Sequence, residues 1–327
     1  MPLDFDIVSS VDAGGRVGGV DVTGHRVLMV TSNLGGNSWD SSIRIVDVNT
    51  AEVVVSLDRT CSSADICWAG GGRRAVCAED SGDVKVYTIE EAPARLVEVA
   101  AFEEHDDIVS SVAAAHGDDG LVLSGSHDRS VKIWDIGSDR CTSLDTFMGH
   151  SGGVTGVAWK SGEGEQNEFA SVSLDCSVRV WDKRQSQRCC ACHRLGIPAL
   201  TLSAEPSFQV LLAVGCEDGT VTILDKRILS GPVSIQRVHK GRVNNVKFSP
   251  PSSHWGDTFN SPVLASVGDD GVLALRRFGD ESYDHRSVLH SDYVRALAWN
   301  AGNNIVTGGW DNALRIVRVR SVSPECP

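Results

Sequence analysis

Seven aspartates set the frame. Asp40, Asp80, Asp128, Asp175, Asp218, Asp270 and Asp311 follow one another at intervals of 40, 48, 47, 43, 52 and 41 residues. Around them one local pattern recurs: an apolar run, a turn bearing the acid, then a second run alternating apolar and polar residues. It is clearest from Leu121 to Asp135 and from Phe169 to Asp182, and both copies end in Trp-Asp. There Val131, Ile133, Val178 and Val180 alternate with polar neighbours at the period of two that a half-buried strand requires. A unit this short cannot bury its apolar face alone. It must stack on copies of itself, so the period dictates a repeat architecture.

A period of this length with a Trp-Asp ending resembles the WD repeat, four strands to a propeller blade. The expected fold is all-β: a seven-bladed WD40 β-propeller with four antiparallel strands per blade. Blade limits fall near 11–57, 58–102, 103–147, 148–193, 194–238, 239–289 and 290–320. A ring must close or leave an open sheet edge. Eight residues follow Val319, too few for another strand, so the apolar start at 3–9 is expected to complete the last blade. Residues 1–320 then form one domain, and 321–327 read as a flexible tail. Ser161 to Glu168 reads as an exposed loop in blade four. Pro250 to Pro262, with His254, Trp255 and Phe259, reads as an insertion in blade six.

In such a repeat a His, a second-strand Ser or Thr, the turn Asp and the Trp can join in one buried hydrogen-bonded chain. His105, Ser124, Asp128 and Trp134 form one set, and His150, Ser171, Asp175 and Trp181 another. His239, Ser266 and Asp270, and His290, Thr307 and Asp311, are partial sets without the Trp. Each polar member has a partner, the condition for burying it. Blades one, two and five lack the set. Histidines and acids repeated at blade spacing read as scaffolding, because a catalytic pair is unique in a ring. The chain is therefore read as a non-enzyme, with no catalytic residue, cofactor or metal.

Cys189-Cys190-Ala191-Cys192-His193 is the most metal-like run. Zinc sites draw on a paired second half, and none follows. The run falls where the fourth strand of blade four belongs and reads as structural. Trp181-Asp182-Lys183-Arg184 matches the Trp-Asp-x-Arg pattern that resembles substrate receptors of cullin-type ubiquitin ligases. Phosphate-loop, esterase-elbow and His-Glu-x-x-His motifs are absent.

Lys and Arg number 30 against 43 Asp and Glu, a formal charge of −13. That balance argues against direct nucleic-acid or membrane binding and leaves a basic protein partner open. No run approaches the ~18 apolar residues of a membrane helix. Acids stand near the N-terminus where a secretion signal needs bases. The ten cysteines read as reduced thiols, and the expected location is cytoplasmic and nuclear.

Of eight tryptophans, Trp134 and Trp181 belong to the repeat, and Trp68, Trp159 and Trp299 fall on first strands and read as core. Trp39 lies in a Gly-rich loop of blade one, ahead of a strand expected to begin at Ile43, and Trp310 in the corresponding turn of blade seven. These blades are neighbours in a closed ring. Trp39, its flanks Asn37, Ser38 and Asp40, and Trp310 are the expected partner interface, an aromatic patch on one face.

Several stretches go beyond a generic repeat. They are Glu79 to Val84 in blade two, Glu104 to Val112 opening blade three, His239 to Pro250 opening blade six and His290 to Trp299 opening blade seven, then Gly309-Trp310-Asp311. In this order, from about Arg16 to Arg318, the chain resembles the methylosome protein 50 family, the WD-repeat subunits of type II protein arginine methyltransferase complexes. The resemblance implies a noncatalytic adaptor docked on the N-terminal barrel of the methyltransferase, in a hetero-octamer of four enzymes and four propellers. It implies presentation of Arg-rich substrates, Sm proteins and core histone tails, for symmetric dimethylation. A blade-one Trp anchors the enzyme in that family. Trp39 matches it, with a less basic flank. The acidic charge suits attraction of Arg-rich tails. Two other readings fit a WD repeat: a cullin-type ubiquitin ligase receptor using Arg184, and an independent histone-tail binder.

Overall fold

The computed structural model describes residues 3–35, 38–115, 120–138, 142–160, 167–185, 189–206, 210–227, 230–251, 262–278, 285–300 and 303–321, with backbone alone at 34–35, 38–39 and 321. Asn37, the stretch 161–166, the stretch 252–261 with His254, Trp255 and Phe259, and the tail 322–327 lie outside the described residues.

Strands dominate because the apolar residues recur at period two and β-branched residues are frequent among them. The described strands form seven four-stranded antiparallel sheets, a seven-bladed propeller. Among the described residues no helix is long and apolar enough to cross a membrane. Blade three is representative, with strands Val109–Ala114, Leu121–Ser126, Ser130–Asp135 and Asp145–Met148 in chain order. The last blade departs from that order. Val294–Asn300, Asn304–Gly309 and Ala313–Ser321 are followed by Leu3–Asp12, which runs past the expected 3–9. Its register extends from Leu3 opposite Ser321 to Asp12 opposite Ala313, with a bulge between Ile7 and Ser9. The N-terminal strand thus closes the ring.

The core lies between sheets. One apolar cluster joins Cys67, Val76 and Val86 of blade two to Val109, Val122 and Trp134 of blade three, and others join the remaining neighbours. Each first strand packs beside the next, and that of blade seven beside that of blade one, around a central channel.

A bulge interrupts the first two strands of every blade at the same place. The register skips Gly18, Ala64, Ser110, Thr155, Leu200, Asn244 and Arg295. A bulge re-aims the extra side chain, and all seven residues line the channel. The next turn needs a left-handed residue. Gly219 and Gly271 supply it without strain, whereas Arg129, Cys176 and Asn312 adopt φ of 75°, 64° and 61°, at about 1–2 kcal/mol each.

Two of the spaced aspartates are not turn acids. In blade one the second and third strands continue to Gly35 and restart at Ser38, so Asp40 is a strand residue opposite Asn33. In blade two Glu79 pairs with Ser63 as Ser126 pairs with Val109, which puts Ser81 at the turn position and Asp80 one residue early.

Candidate partner-binding face

Four blades build the same network. In blade three His105 Nδ1 meets Asp128 at 2.7 Å, its Nε2 meets Ser124 Oγ at 2.7 Å, and Trp134 Nε1 donates to Ser124 Oγ at 2.8 Å. Blade four repeats this with His150 to Asp175 at 3.0 Å, to Ser171 at 2.8 Å, and Trp181 to Ser171 at 2.8 Å. Blade six joins His239 to Asp270 at 2.8 Å and Ser266 at 3.0 Å. Blade seven joins His290 to Asp311 at 2.8 Å and Thr307 at 2.9 Å. In the complete sets the chain has one direction. The indole donates to the hydroxyl, the hydroxyl to a neutral imidazole, and the imidazole Nδ1–H to the carboxylate.

The charge states follow from this packing. Burial pushes His150 and His290 below the usual histidine value, against the upward pull of Asp175 and Asp311. Burial alone raises the carboxylates of Asp128 and Asp175. Hydrogen bonds from the paired His and from Ser130 or Ser177 outweigh it and hold both well below the usual range. Asp311 is held down to about 2 by His290 and Arg315, again against burial. Ser130 and Ser177, at 2.7 and 2.6 Å from their acids, complete the sets. Each stands two residues after a turn Asp, the one signal in the sequence that marks it.

The other blades solve the same position differently. Arg59 stands four residues before the first strand of blade two, Ser63–Ala69, as His105 stands four before Val109. It ion-pairs with fully buried Glu79 and donates to Ser63 at 2.5 Å and to Ser41 of blade one at 3.1 Å. Ser81 bonds Asp83 at 2.9 Å, the Asp128–Ser130 pair with its members exchanged. In blade one Thr31 and Ser42 bond at 2.7 Å, and blade five keeps the turn pair of blade three, Thr220 donating to Asp218 at 2.7 Å.

Two singled-out motifs are absorbed by the scaffold. Cys189–Arg194 is the outer strand of blade four, with Cys190 and Cys192 exposed and Cys189 and His193 half-buried. Among the described residues no three His, Cys, Asp or Glu side chains gather as metal ligands, and the eight described cysteines are free thiols. Arg184 hooks back onto Asp182 at 2.9 and 2.7 Å, and Arg227 makes the same hook to Asp225 in blade five.

What remains lies on the face carrying the turns between second and third strands. The blade-one hairpin extends there as a paired ladder, Ser32 opposite Ser41, Leu34 opposite Trp39 and Gly35 opposite Ser38. Trp39 is therefore held on a strand rather than in the expected loop. Trp310 occupies the equivalent turn of blade seven. It is half-buried, 5.5 Å from the Tyr293 ring, with Arg16 and Arg295 at 5.0 and 5.1 Å from its centroid. It stands at the wall of the central channel, a cavity of about 860 Å³. Trp68, Trp159 and Trp299 line the same channel. The first two are buried, but Trp299 is half-buried and donates to Lys247 O of the previous blade at 3.0 Å.

The WD domain, G-beta repeat model matches residues 96–135, 141–182 and 285–317. Each match ends in the third strand of a blade holding a His–Asp network. Three segments of this seven-bladed propeller thus match the WD repeat. The chain is 28% identical over 298 residues to Methylosome protein WDR77 of Xenopus laevis, covering 88% of this chain and 84% of that protein. It is 26% identical to Protein transport protein sec13 of Emericella nidulans, over 67% of this chain and 79% of that protein. It is 25% identical to the Ribosome biogenesis protein WDR12 homolog of Aedes aegypti, over 68% of this chain and 64% of that protein.

Proposed function

We propose that this propeller is the noncatalytic adaptor of a methylosome, binding a type II protein arginine methyltransferase and presenting Arg-rich substrates to it in the cytoplasm and nucleus. The observation that carries the reading is the similarity to a methylosome protein along 88% of the chain. The lengthened blade-one hairpin supports it, because it holds Trp39 on a paired strand. Paired backbone limits the freedom lost on binding, which favours an anchor. The net charge of −13 supports the substrate half, since an acidic body draws Arg-rich tails such as those of Sm proteins and histones.

The test is calorimetry with the methyltransferase. Trp39→Ala is expected to weaken binding by about 2 kcal/mol or more, as for a central aromatic anchor, with unchanged melting. Equal affinity of both proteins removes Trp39 as the anchor. Failure of the enzyme to copurify with the native chain removes the reading itself. The ubiquitin-ligase reading draws no support from Arg184, whose hook onto Asp182 is repeated at Arg227 as part of the blade.

A further inference from the structure

Scaffolding does not account for one member of the bulge ring. Gly18, Ala64, Ser110, Thr155, Leu200 and Asn244 are uncharged, and Arg295 is the charged one. In blades three, four and six the bulge residue donates to the first strand of the next blade. Ser110 reaches Val154 O, Thr155 reaches Ala199 O at 2.7 Å, and Asn244 reaches Val294 O at 2.9 Å. Among the described residues Arg295 makes no such bond to blade one, and its buried Nε has no acceptor. Its guanidinium lies over Trp310 instead, and Arg16 of blade one lies over the same ring.

Two guanidinium groups on one indole, neither in an ion-pair contact among the described residues, form an unusual arrangement in a chain with net charge −13. Each cation–π contact is favourable. Burial lowers the Arg295 pKa, with Asp269 opposing the shift. The positive charge continues down blade six through Arg242, which Glu217 meets at 2.8 Å, to exposed Lys247. Five residues of strand carry it about 16 Å along the wall. The channel acids lie on blades one and two. Asp21 accepts Trp68 N at 2.8 Å, Asp65 accepts Val112 N at 3.1 Å and is also attracted by Lys247, and Asp80 is exposed.

We propose that the channel mouth is a binding site for an acidic peptide segment, with a carboxylate seated between Arg16 and Arg295 against Trp310 and further acids directed along blade six. A charge-assisted, partly desolvated pair of guanidinium contacts is the strong kind of carboxylate recognition. The elongated run of cations fits an extended acidic chain better than an isolated ion. This site is independent of the methyltransferase reading, which concerns Arg-rich substrates and the Trp39 hairpin.

The test is fluorescence anisotropy of a labelled oligoglutamate peptide titrated with the full chain. Saturable binding is expected, with no binding of oligoglutamine. Net repulsion from the acidic body keeps nonspecific background low. Arg16→Glu, a change at an exposed side chain, is expected to weaken binding by about tenfold or more, as loss of an interfacial charge contact does. Arg295→Gln is the second variant, and unchanged melting confirms that each is folded. Absence of saturable binding, or equal binding by wild type and both folded variants, overturns the proposal. Full displacement of the peptide by an equal concentration of inorganic phosphate overturns the peptide assignment in favour of a small-anion site.

Discussion

Blades two and three meet the same structural demand with opposite chemistry. In blade three the segment entering the first strand is fixed by His105, whose ring joins Ser124 and Asp128, with Trp134 behind the hydroxyl. In blade two it is fixed by Arg59, ion-paired to Glu79, a side chain with no exposed surface. The position demands a buried polar side chain that hydrogen-bonds the second strand, and either an imidazole or a guanidinium serves. The difference lies in what happens when a partner is lost. A neutral network loses hydrogen bonds, whereas an ion pair strands a charge.

The comparison breaks most visibly at Glu79. Glu79→Gln leaves Arg59 buried without its counter-ion and is expected to cost about 3–5 kcal/mol. Urea unfolding measures it, and a cost below about 1 kcal/mol shows that water already reaches the pair. The double variant Arg59→Met with Glu79→Met is expected to recover much of the loss. Ser124→Ala comes next. It removes the partner of both His105 and Trp134, an expected loss of about 1–3 kcal/mol. Ser266→Ala, where no Trp shares the hydroxyl, is expected to lose less. Equal losses at Ser124 and Ser266 remove the indole from the network.

Acid sharpens the contrast further. His150 and His290 are depressed by burial, so the folded state favours their neutral form. Stability is then level above about pH 6.5, the unfolded value, and falls as pH drops through it toward the folded values. Depressed Asp128, Asp175 and Asp311 add a second loss below about pH 4, as protons displace the bonds that hold them ionised. Melting temperatures across pH read both steps, and His150→Gln is expected to shrink the first. A level profile from pH 7 to 5 refutes the histidine assignment. The smallest effect belongs to Arg184→Ala. Its side chain is 62% exposed, so its hook onto Asp182 is expected to contribute no more than about 0.5 kcal/mol by urea unfolding.

The fold was legible because four blades repeat a His and then a Ser or Thr four residues before an Asp, which pairing then places within bonding distance. Asp40 misled because spacing alone does not distinguish a turn from a strand; its blade carries a longer hairpin, and the acid landed on it. Asp80 stood one residue from the true turn, where Ser81 and Asp83 exchange the usual order. Arg59 was invisible as a histidine substitute, since its role depends on which residue Ser63 pairs with. The channel mouth was less legible still. Arg16 and Arg295 come from opposite ends of the chain and meet at Trp310 when the first and seventh blades close. A bulge that skips Arg295 is a property of two strands together, not of the residue.

The N-terminal strand carries a consequence of timing. Leu3–Asp12 takes its place beside Ala313–Ser321, so its partner lies almost the whole ring away in sequence. Such distant pairing is slow, because the closing contact must overcome the entropy of a very long loop. During synthesis all the intervening blades emerge before that strand has an edge to join. Until then its apolar residues and the unpaired rim of the last blade are both open to other chains, a hazard of slow long-range pairing. The clasp that makes the finished ring one cooperative body is thus also the last part of it to be made safe.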